Sequence, residues 1–477
     1  MPRTGNCRRL GSWGIPAFFC VWLSIASVAP TYAADWKVGV AKTVITPAVP
    51  IHLVGYGGRD NPFSSVDIDI YAKALAFEDH QGHRGIMVTA DLVGFQDVFF
   101  RSVCERVTKK TGLSRTQMML NASHNHTGPL MSLKPDLQGN VAYSAFSHEE
   151  AQQVVEYTKD LQEKIFHLMI AALNDLKPAE LSWGSDRVTF VMNRRIKTKQ
   201  GTIRMGPNPD GPADSVVPVL KVTGANGKIR ALLFGCACHN TGLTGDHNVI
   251  TGDYAGYAQQ VLEKRYPGAI ALFQAGCGAD ANPEPRTDVP GVRILGLELA
   301  NAVTRALVGK LTPIHGELQC ALRKTDLPLK TYQPGQVEAM ATETDTVGLM
   351  SKHLWKILQS GATLRTNYPA HIAAWAFGED LIIVAFPSET VAEYALNLRA
   401  QFPDRPLWVS AYSNDLFGYV PTAKIVREGG HETIGVTTWL WGTDLADHVG
   451  FFSEEVEQVM MNTARELIEE LKSNSSN

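Results

Sequence analysis

Two histidines one residue apart, His124 and His126, lie in the run Ser123-His124-Asn125-His126-Thr127-Gly128-Pro129, directly behind the apolar segment 117–122. An H-x-H pair at the end of a strand can turn both imidazoles into one cleft, as two histidines do when they serve a metal or a metal-bound water. The pair alone is only moderately specific, and histidines of the core or surface are the plainer account. His239 follows a second apolar run, and Glu389 and Tyr419 add oxygen donors behind two further ones. A His/Glu set that leaves one position open suits Zn²⁺, which lowers the pKa of bound water to about 7 and polarises carbonyls. Cys236-Ala237-Cys238 beside His239 suggests a thiolate site, but no second matching pair exists, and small buried residues are the better reading. On these residues alone, a metal hydrolase and an α/β binding protein both stay open.

The elements that must hold these groups recur along the chain. Apolar run 85–90 ends in Asp91, 117–122 in the H-x-H segment, and 229–235 in Cys238-His239-Asn240. Run 269–274 leads to Gly276-Cys277-Gly278-Ala279-Asp280, 381–386 to Pro387-Ser388-Glu389, and 407–411 to Ser413-Asn414-Asp415. Helical periodicity fills 148–175, 253–265, 292–309, 390–401 and 452–472. Strands alternating with helices predict an α/β fold with a mixed, largely parallel sheet core flanked by helices. Ligands of such sheets bind beyond the carboxyl ends of strands, where all six polar clusters fall. The stretch 310–365 is less regular and reads as a subdomain or an excursion from the sheet.

Composition narrows the function classes. Of 477 residues, 44% are hydrophobic and 19% charged, which excludes a disordered chain, a coiled coil and a collagen-like repeat. Lys plus Arg number 44 against 48 acids, so nucleic acid is not the expected partner. Residues 1–33 read as a signal peptide: Arg3, Arg8 and Arg9 precede the apolar stretch 15–29, and small residues around Ala33 and Ala34 suit cleavage. A buried or membrane-anchoring helix is the alternative, although the stretch falls short of the ~20 residues a bilayer span needs. The expected location is periplasmic or extracellular, with at most peripheral membrane contact. Beyond the leader remain Cys104, Cys236, Cys238, Cys277 and Cys320, an odd number whose pairing spacing cannot fix.

The chain resembles the neutral/alkaline, non-lysosomal ceramidase family, zinc amidases that cleave N-acyl sphingosine. The likeness runs through Val38-Gly39-Val40-Ala41-Lys42-Thr43-Val44-Ile45-Thr46-Pro47, Gly55-Tyr56, Tyr71-Ala72-Lys73-Ala74-Leu75-Ala76 and Thr89-Ala90-Asp91-Leu92 to the H-x-H segment. It continues through Asn193-Arg194, Cys238-His239, Gly252-Asp253-Tyr254-Ala255-Gly256-Tyr257-Ala258, Pro387-Ser388-Glu389 and Gly418-Tyr419-Val420-Pro421-Thr422, and so spans residues 35–477 as one catalytic domain. The resemblance implies His124, His239 and Glu389 as zinc ligands with Tyr419 near the metal. It implies His126 as the companion histidine at the reacting group and Arg194 in the same active site. Two plainer roles stay open: Glu389 as cap of the helix near Thr390, and Arg194 beside Arg195 as a solvated loop charge.

The chain departs from the family pattern at three places. The family's active-site serine position falls on Asn282, in Gly278-Ala279-Asp280-Ala281-Asn282-Pro283. An amide can donate to an oxyanion but cannot act as a nucleophile, so zinc-bound hydroxide is the expected attacking group. A second family tyrosine falls on His431, either an acid titrating near neutrality or an exposed residue of the Gly429-Gly430 turn. The family's C-terminal β-sandwich domain is not expected, because the chain ends soon after the helix at 452–472. The expected function is zinc-dependent hydrolysis of an amide in an N-acyl, ceramide-like lipid. A metal hydrolase of another ester or amide and a non-catalytic lipid-binding relative are the alternatives. Asp253 is a candidate second partner for a ligand histidine, or else a helix cap. Thr437-Thr438-Trp439-Leu440-Trp441-Gly442 is a candidate acyl-pocket lining, or else core packing.

Overall fold

Five of the six apolar runs become strands with scarcely an exposed side chain. Met118–Ala122, Leu381–Ala385 and Leu407–Ser410 are buried throughout, and Arg84–Ala90 and Ile270–Ala275 beyond their first residue. That is the signature of strands covered on both faces. The computed structural model describes residues 35–57, 59–134, 146–343, 346–437 and 450–473, with positions 1, 2, 5 and 11. Most of the expected leader, and 438–442 of the Trp-containing stretch, lie outside the described residues.

A nine-stranded sheet runs in the order Ile270–Ala275, Ile229–Cys236, Val216–Gly224, Lys177–Arg187, Trp36–Val44, Tyr71–Asp79, Arg84–Ala90, Met118–Ala122, with Thr312–Ile314 paired to Lys177–Arg187. A four-stranded sheet follows the order Leu318–Pro328, Asn367–Phe377, Leu381–Ala385, Leu407–Ser410. The fold is the mixed α/β architecture expected, with one correction: it is not largely parallel. In the two sheets parallel pairing joins Arg84–Ala90 to Met118–Ala122, Ile229–Cys236 to Ile270–Ala275, and Leu381–Ala385 to Leu407–Ser410, while the other pairings are antiparallel. The parallel pairs are the six strands read from the apolar runs. The antiparallel strands are of two kinds: Lys177–Arg187 carries polar residues through its length and has an exposed side, whereas Tyr71–Asp79 is buried on both faces.

Alternation along the strands builds the layers. Leu75, Phe77, Met87, Met119, Leu233 and Leu272 point one way, into a core shared with Trp375, Phe377, Ile383 and Trp408 of the second sheet. Their neighbours Ala74, Ala76, Val88, Leu120, Phe234 and Phe273 point the other way, into a core with Leu161, Ile165, Leu262 and Leu299. Those last four belong to helices His148–Asn174, Asp253–Arg265 and Val289–Val308. Helix Glu455–Ser473 packs on Leu318–Pro328 and Asn367–Phe377. The irregular stretch near 310–365 supplies the first strand of the second sheet and then helices Pro334–Met340 and Thr346–Gln359. Helix Asp97–Thr111, not among the expected helices, buries Phe99, Phe100, Val103, Cys104 and Val107.

Close helix-on-sheet seating depends on Gly39, where an added Cβ would stand 1.8 Å from the carbonyl oxygen of Ala172. Gly39→Ala is expected to lower stability in urea unfolding by about 1–3 kcal/mol, the usual range for overpacking. Gly335→Ala, with nothing within 4 Å of its Cβ, should be neutral or gain up to about 1 kcal/mol from helix propensity. Equal stability of the two variants would contradict this seating.

Candidate metal centre and active site

The loops that leave the buried strands are fastened to one another by polar side chains. Asn121 accepts from the Ala275 amide (2.9 Å) and donates to the Ala411 carbonyl (2.6 Å), so one side chain ties the ends of three strands. A parallel bridge joins Asn125 to Asn240, which sets the segment after Met118–Ala122 against the segment holding His239. Strand Glu389–Thr390 pairs with Tyr419–Val420, and Glu389 is the register partner of Tyr419. The Ser388 hydroxyl accepts from the amides of Phe417 (3.0 Å) and Gly418 (2.9 Å), which locks these two loops together. Every described non-glycine residue with positive φ belongs to these loops: His124 (55°), Asp253 (50°), Ser388 (55°), Tyr412 (52°) and Asn414 (69°). Left-handed backbone costs about 1–2 kcal/mol per residue outside glycine, and such strain gathers where surrounding contacts over-determine a site.

Four donors converge in this buried place. His124 Nε2 lies 3.2 Å and His239 Nε2 3.3 Å from Glu389 Oε2, and His126 Nε2 lies 3.0 Å from His124 Nε2. His124, His126 and His239 each offer a ring nitrogen within 4.8 Å of the others. Backbone carbonyls set the tautomers. His124 Nδ1 bonds Val93 O at 2.8 Å and His239 Nδ1 bonds Gly278 O at 2.9 Å. A carbonyl only accepts, so both Nδ1 atoms carry the proton and both Nε2 atoms keep a lone pair. His239 Nε2 and Glu389 Oε2 are buried and lack a hydrogen-bond partner among the described residues. Buried polar atoms without partners are costly, and a divalent cation held by imidazole and carboxylate would satisfy these. Burial, then Arg194 and His124, lowers His239 to about 3, so its imidazole is neutral. Burial and the two other histidines also push His126 well down.

The remaining candidates gather beside this cluster. Arg194 is buried on strand Val191–Lys197, not solvated; it donates to Glu432 (2.9 Å), the Tyr419 hydroxyl (3.1 Å) and Asn282 Oδ1 (3.3 Å). Because Asn282 Oδ1 accepts, its Nδ2 is the end left to donate. His431 is not an exposed turn residue: it is half-buried in the short helix His431–Thr433, with its ring 5.1 Å from that of Tyr419. Burial, then Arg194, lowers its pKa. Glu389 does not cap a helix, since helix Ala392–Gln401 has Val391 at its N-cap. Asp253 is corrected as a partner of a ligand histidine. Its carboxylate accepts from the amides of Gly242 and Leu243, both at 3.0 Å, and so shapes the loop after His239, while carbonyls take the ring N–H groups. Cys236 and Cys238 are buried free thiols outside the histidine group, as small core residues are.

Several residues of the site were not singled out in the sequence. Tyr412 stacks on His124 (centroids 4.4 Å apart), and its buried hydroxyl has no partner among the described residues. Its only sequence signal was its place between a buried strand and Ser413-Asn414-Asp415. Glu432 binds both Arg194 and Arg195, the latter at 2.6 Å. Gly55 (φ 103°) is required, because a Cβ there would meet the His126 ring at 2.5 Å. A cavity of about 220 Å³, lined by Arg194, Asn282, Arg286, Met192 and Met205, opens beside the cluster.

Burial raises Glu432, yet Arg194 and Arg195 outweigh it and hold its carboxyl below the usual range. A depressed folded-state pKa stabilises above the unfolded value and is lost as pH falls. Glu432→Gln should cost about 3–5 kcal/mol at neutral pH, as when one partner of a buried ion pair is removed. The difference from the parent should shrink once pH drops below ~4.3. Urea unfolding at several pH values checks this, and a difference independent of pH would contradict it.

Residues 36–280 match the family described as neutral/alkaline non-lysosomal ceramidase, N-terminal. Neutral ceramidase of Drosophila melanogaster is 23% identical over 310 residues, which cover 61% of this chain and 42% of the relative. Neutral ceramidase B of Dictyostelium discoideum is 21% identical over 276 residues, covering 53% and 36%. The chain thus spans about two fifths of the length of these curated relatives. The crystal structure of neutral ceramidase from Pseudomonas aeruginosa superposes with a TM-score of 0.68 at 17% identity, covering 92% of this chain and 75% of that one. A structure of ceramidase complexed with C2 gives 0.67 at 18% identity, covering 92% and 76%. At these identities the superpositions establish the fold.

Proposed function

The chain belongs to the neutral/alkaline non-lysosomal ceramidase family, and on that premise we propose that it is an exported zinc hydrolase of an N-acyl amide in a ceramide-like lipid. The observation that carries this reading is the buried meeting of His124 Nε2, His239 Nε2 and Glu389 Oε2, two of them without hydrogen-bond partners. These three would hold the ion, with Tyr419 as a fourth donor. Zinc, when bound, supplies Lewis acidity toward water and toward an acyl carbonyl.

The chain's own groups supply the rest. Asn282 Nδ2 would donate to the acyl oxygen as negative charge develops there, a role supported by its Oδ1 accepting from Arg194. The Tyr419 hydroxyl accepts from Arg194 and keeps its own proton to give to the same oxygen. His126, neutral through burial, takes a proton from the attacking water. His126 then delivers that same proton to the leaving amine, with His431 beside Tyr419 lining the site, so water adds across the C–N bond to give a carboxylic acid and an amine. No hydroxyl nucleophile is required at position 282. No described helix is long and apolar enough to cross a membrane, which is compatible with export and peripheral contact with a lipid substrate.

Purified protein should hold about one zinc per chain, and His124→Ala with His239→Ala should remove both metal and turnover. Asn282→Ala should retain the metal and lower kcat on ceramide by about 10²-fold, the loss seen for one oxyanion donor. Metal analysis and a panel of N-acyl amides, esters and phosphoesters check these outcomes. Full metal content in the double variant, or lipid binding with zinc but no turnover on any amide, would sink the proposal.

A further inference from the structure

A second cavity, of about 670 Å³, lies between helix Asp97–Thr111 and the second sheet, and none of the donors above lines it. Its most unusual wall residue is Arg115. The guanidinium stacks over the Phe100 ring with Cζ 3.7 Å from the centroid, and Nη1 reaches the Met118 carbonyl only at 3.4 Å. Nη2 is buried and has no hydrogen-bond partner among the described residues. Asp97 and Asp415 line the same cavity and act on Arg115 through their charge, while their hydrogen bonds go to other groups. Asp97 accepts from Arg101 at 2.9 Å, and Asp415 accepts from the Asp97 amide at 2.9 Å and the Tyr368 hydroxyl at 2.7 Å. Glu105 sits exposed on the rim. Lys324 and His371 are register partners on adjacent strands, so their side chains stand together on the same cavity wall. Lys109 adds a further cation. His371 is held below its usual range, chiefly by burial.

A guanidinium with a buried, unpaired Nη2, lining the same cavity as Lys324, His371 and Lys109, offers the donor set of a tetrahedral oxyanion site. We propose that this cavity binds a phosphate-type oxyanion between Arg115 and the Lys324–His371 pair. The ligand's source is either free phosphate or the headgroup of an anionic phospholipid, and the chemistry of recognition is the same. The inference does not depend on the hydrolase reading, since it uses none of that site's residues.

The test is calorimetric titration of the full chain with inorganic phosphate, carried out in the His124→Ala/His239→Ala background so that phosphate cannot report from the metal centre. Co-sedimentation with phosphatidylglycerol and phosphatidylcholine vesicles runs in parallel. Saturable binding should weaken about tenfold in Arg115→Met, the loss of a charge-assisted contact, and roughly threefold in Lys324→Ala. Phosphate binding with these losses assigns the site to the free ion. Binding to the anionic vesicles alone, with the same losses, assigns it to a headgroup. Lys324 is exposed, so Lys324→Ala decides the matter even where Arg115→Met fails to fold. Binding of neither probe, or binding that both substitutions leave unchanged, overturns the proposal.

Discussion

The structure is organised around a carboxylate oxygen and two imidazole lone pairs held against one another out of water. Glu389 Oε2 lies within 3.3 Å of both His124 Nε2 and His239 Nε2, and the two rings are pinned by carbonyls in the tautomer that leaves those nitrogens bare. Left as they are, these groups are an electrostatic and solvation penalty. The surroundings are therefore read most simply as whatever is needed to keep them there. Left-handed backbone at His124, Ser388 and Tyr412 aims the side chains. The clasps made by Asn121 and Ser388 stop the loops from relaxing away. Behind the donors, Glu432 is shared by Arg194 and Arg195 and Glu428 adds a second carboxylate on Arg195, so a guanidinium can stand at the edge of the cluster with its charge balanced.

How far the sequence revealed this depended on the kind of signal. The strands beneath the site were legible because burial on both faces leaves a continuous apolar run, as in 117–122 and 381–386. The antiparallel strands were not, because Lys177–Arg187 carries charged and polar residues through its length and has an exposed side. That imbalance produced the expectation of a largely parallel sheet. His124, His239 and Glu389 were found through their positions after apolar runs and through the family likeness. Glu432 and Tyr412 were missed because their roles arise from partners more than two hundred residues away, which no local pattern encodes. Asp253 was recognised as important for the wrong contact: an acid near a ligand in sequence says nothing about which amide it accepts from.

The donors come from different parts of the molecule. His124 and His239 follow strands of the nine-stranded sheet, whereas Glu389 and Tyr419 follow strands of the four-stranded one. The family match ends at residue 280, before Glu389, so the matched portion holds the imidazoles and lacks the carboxylate that meets them.

Neither half, then, carries both the imidazoles and the carboxylate. The imidazoles and the carboxylate meet where the two sheets dock through Trp375, Ile383, Met87 and Leu272. A cation held by all of them would act as a rivet across that seam.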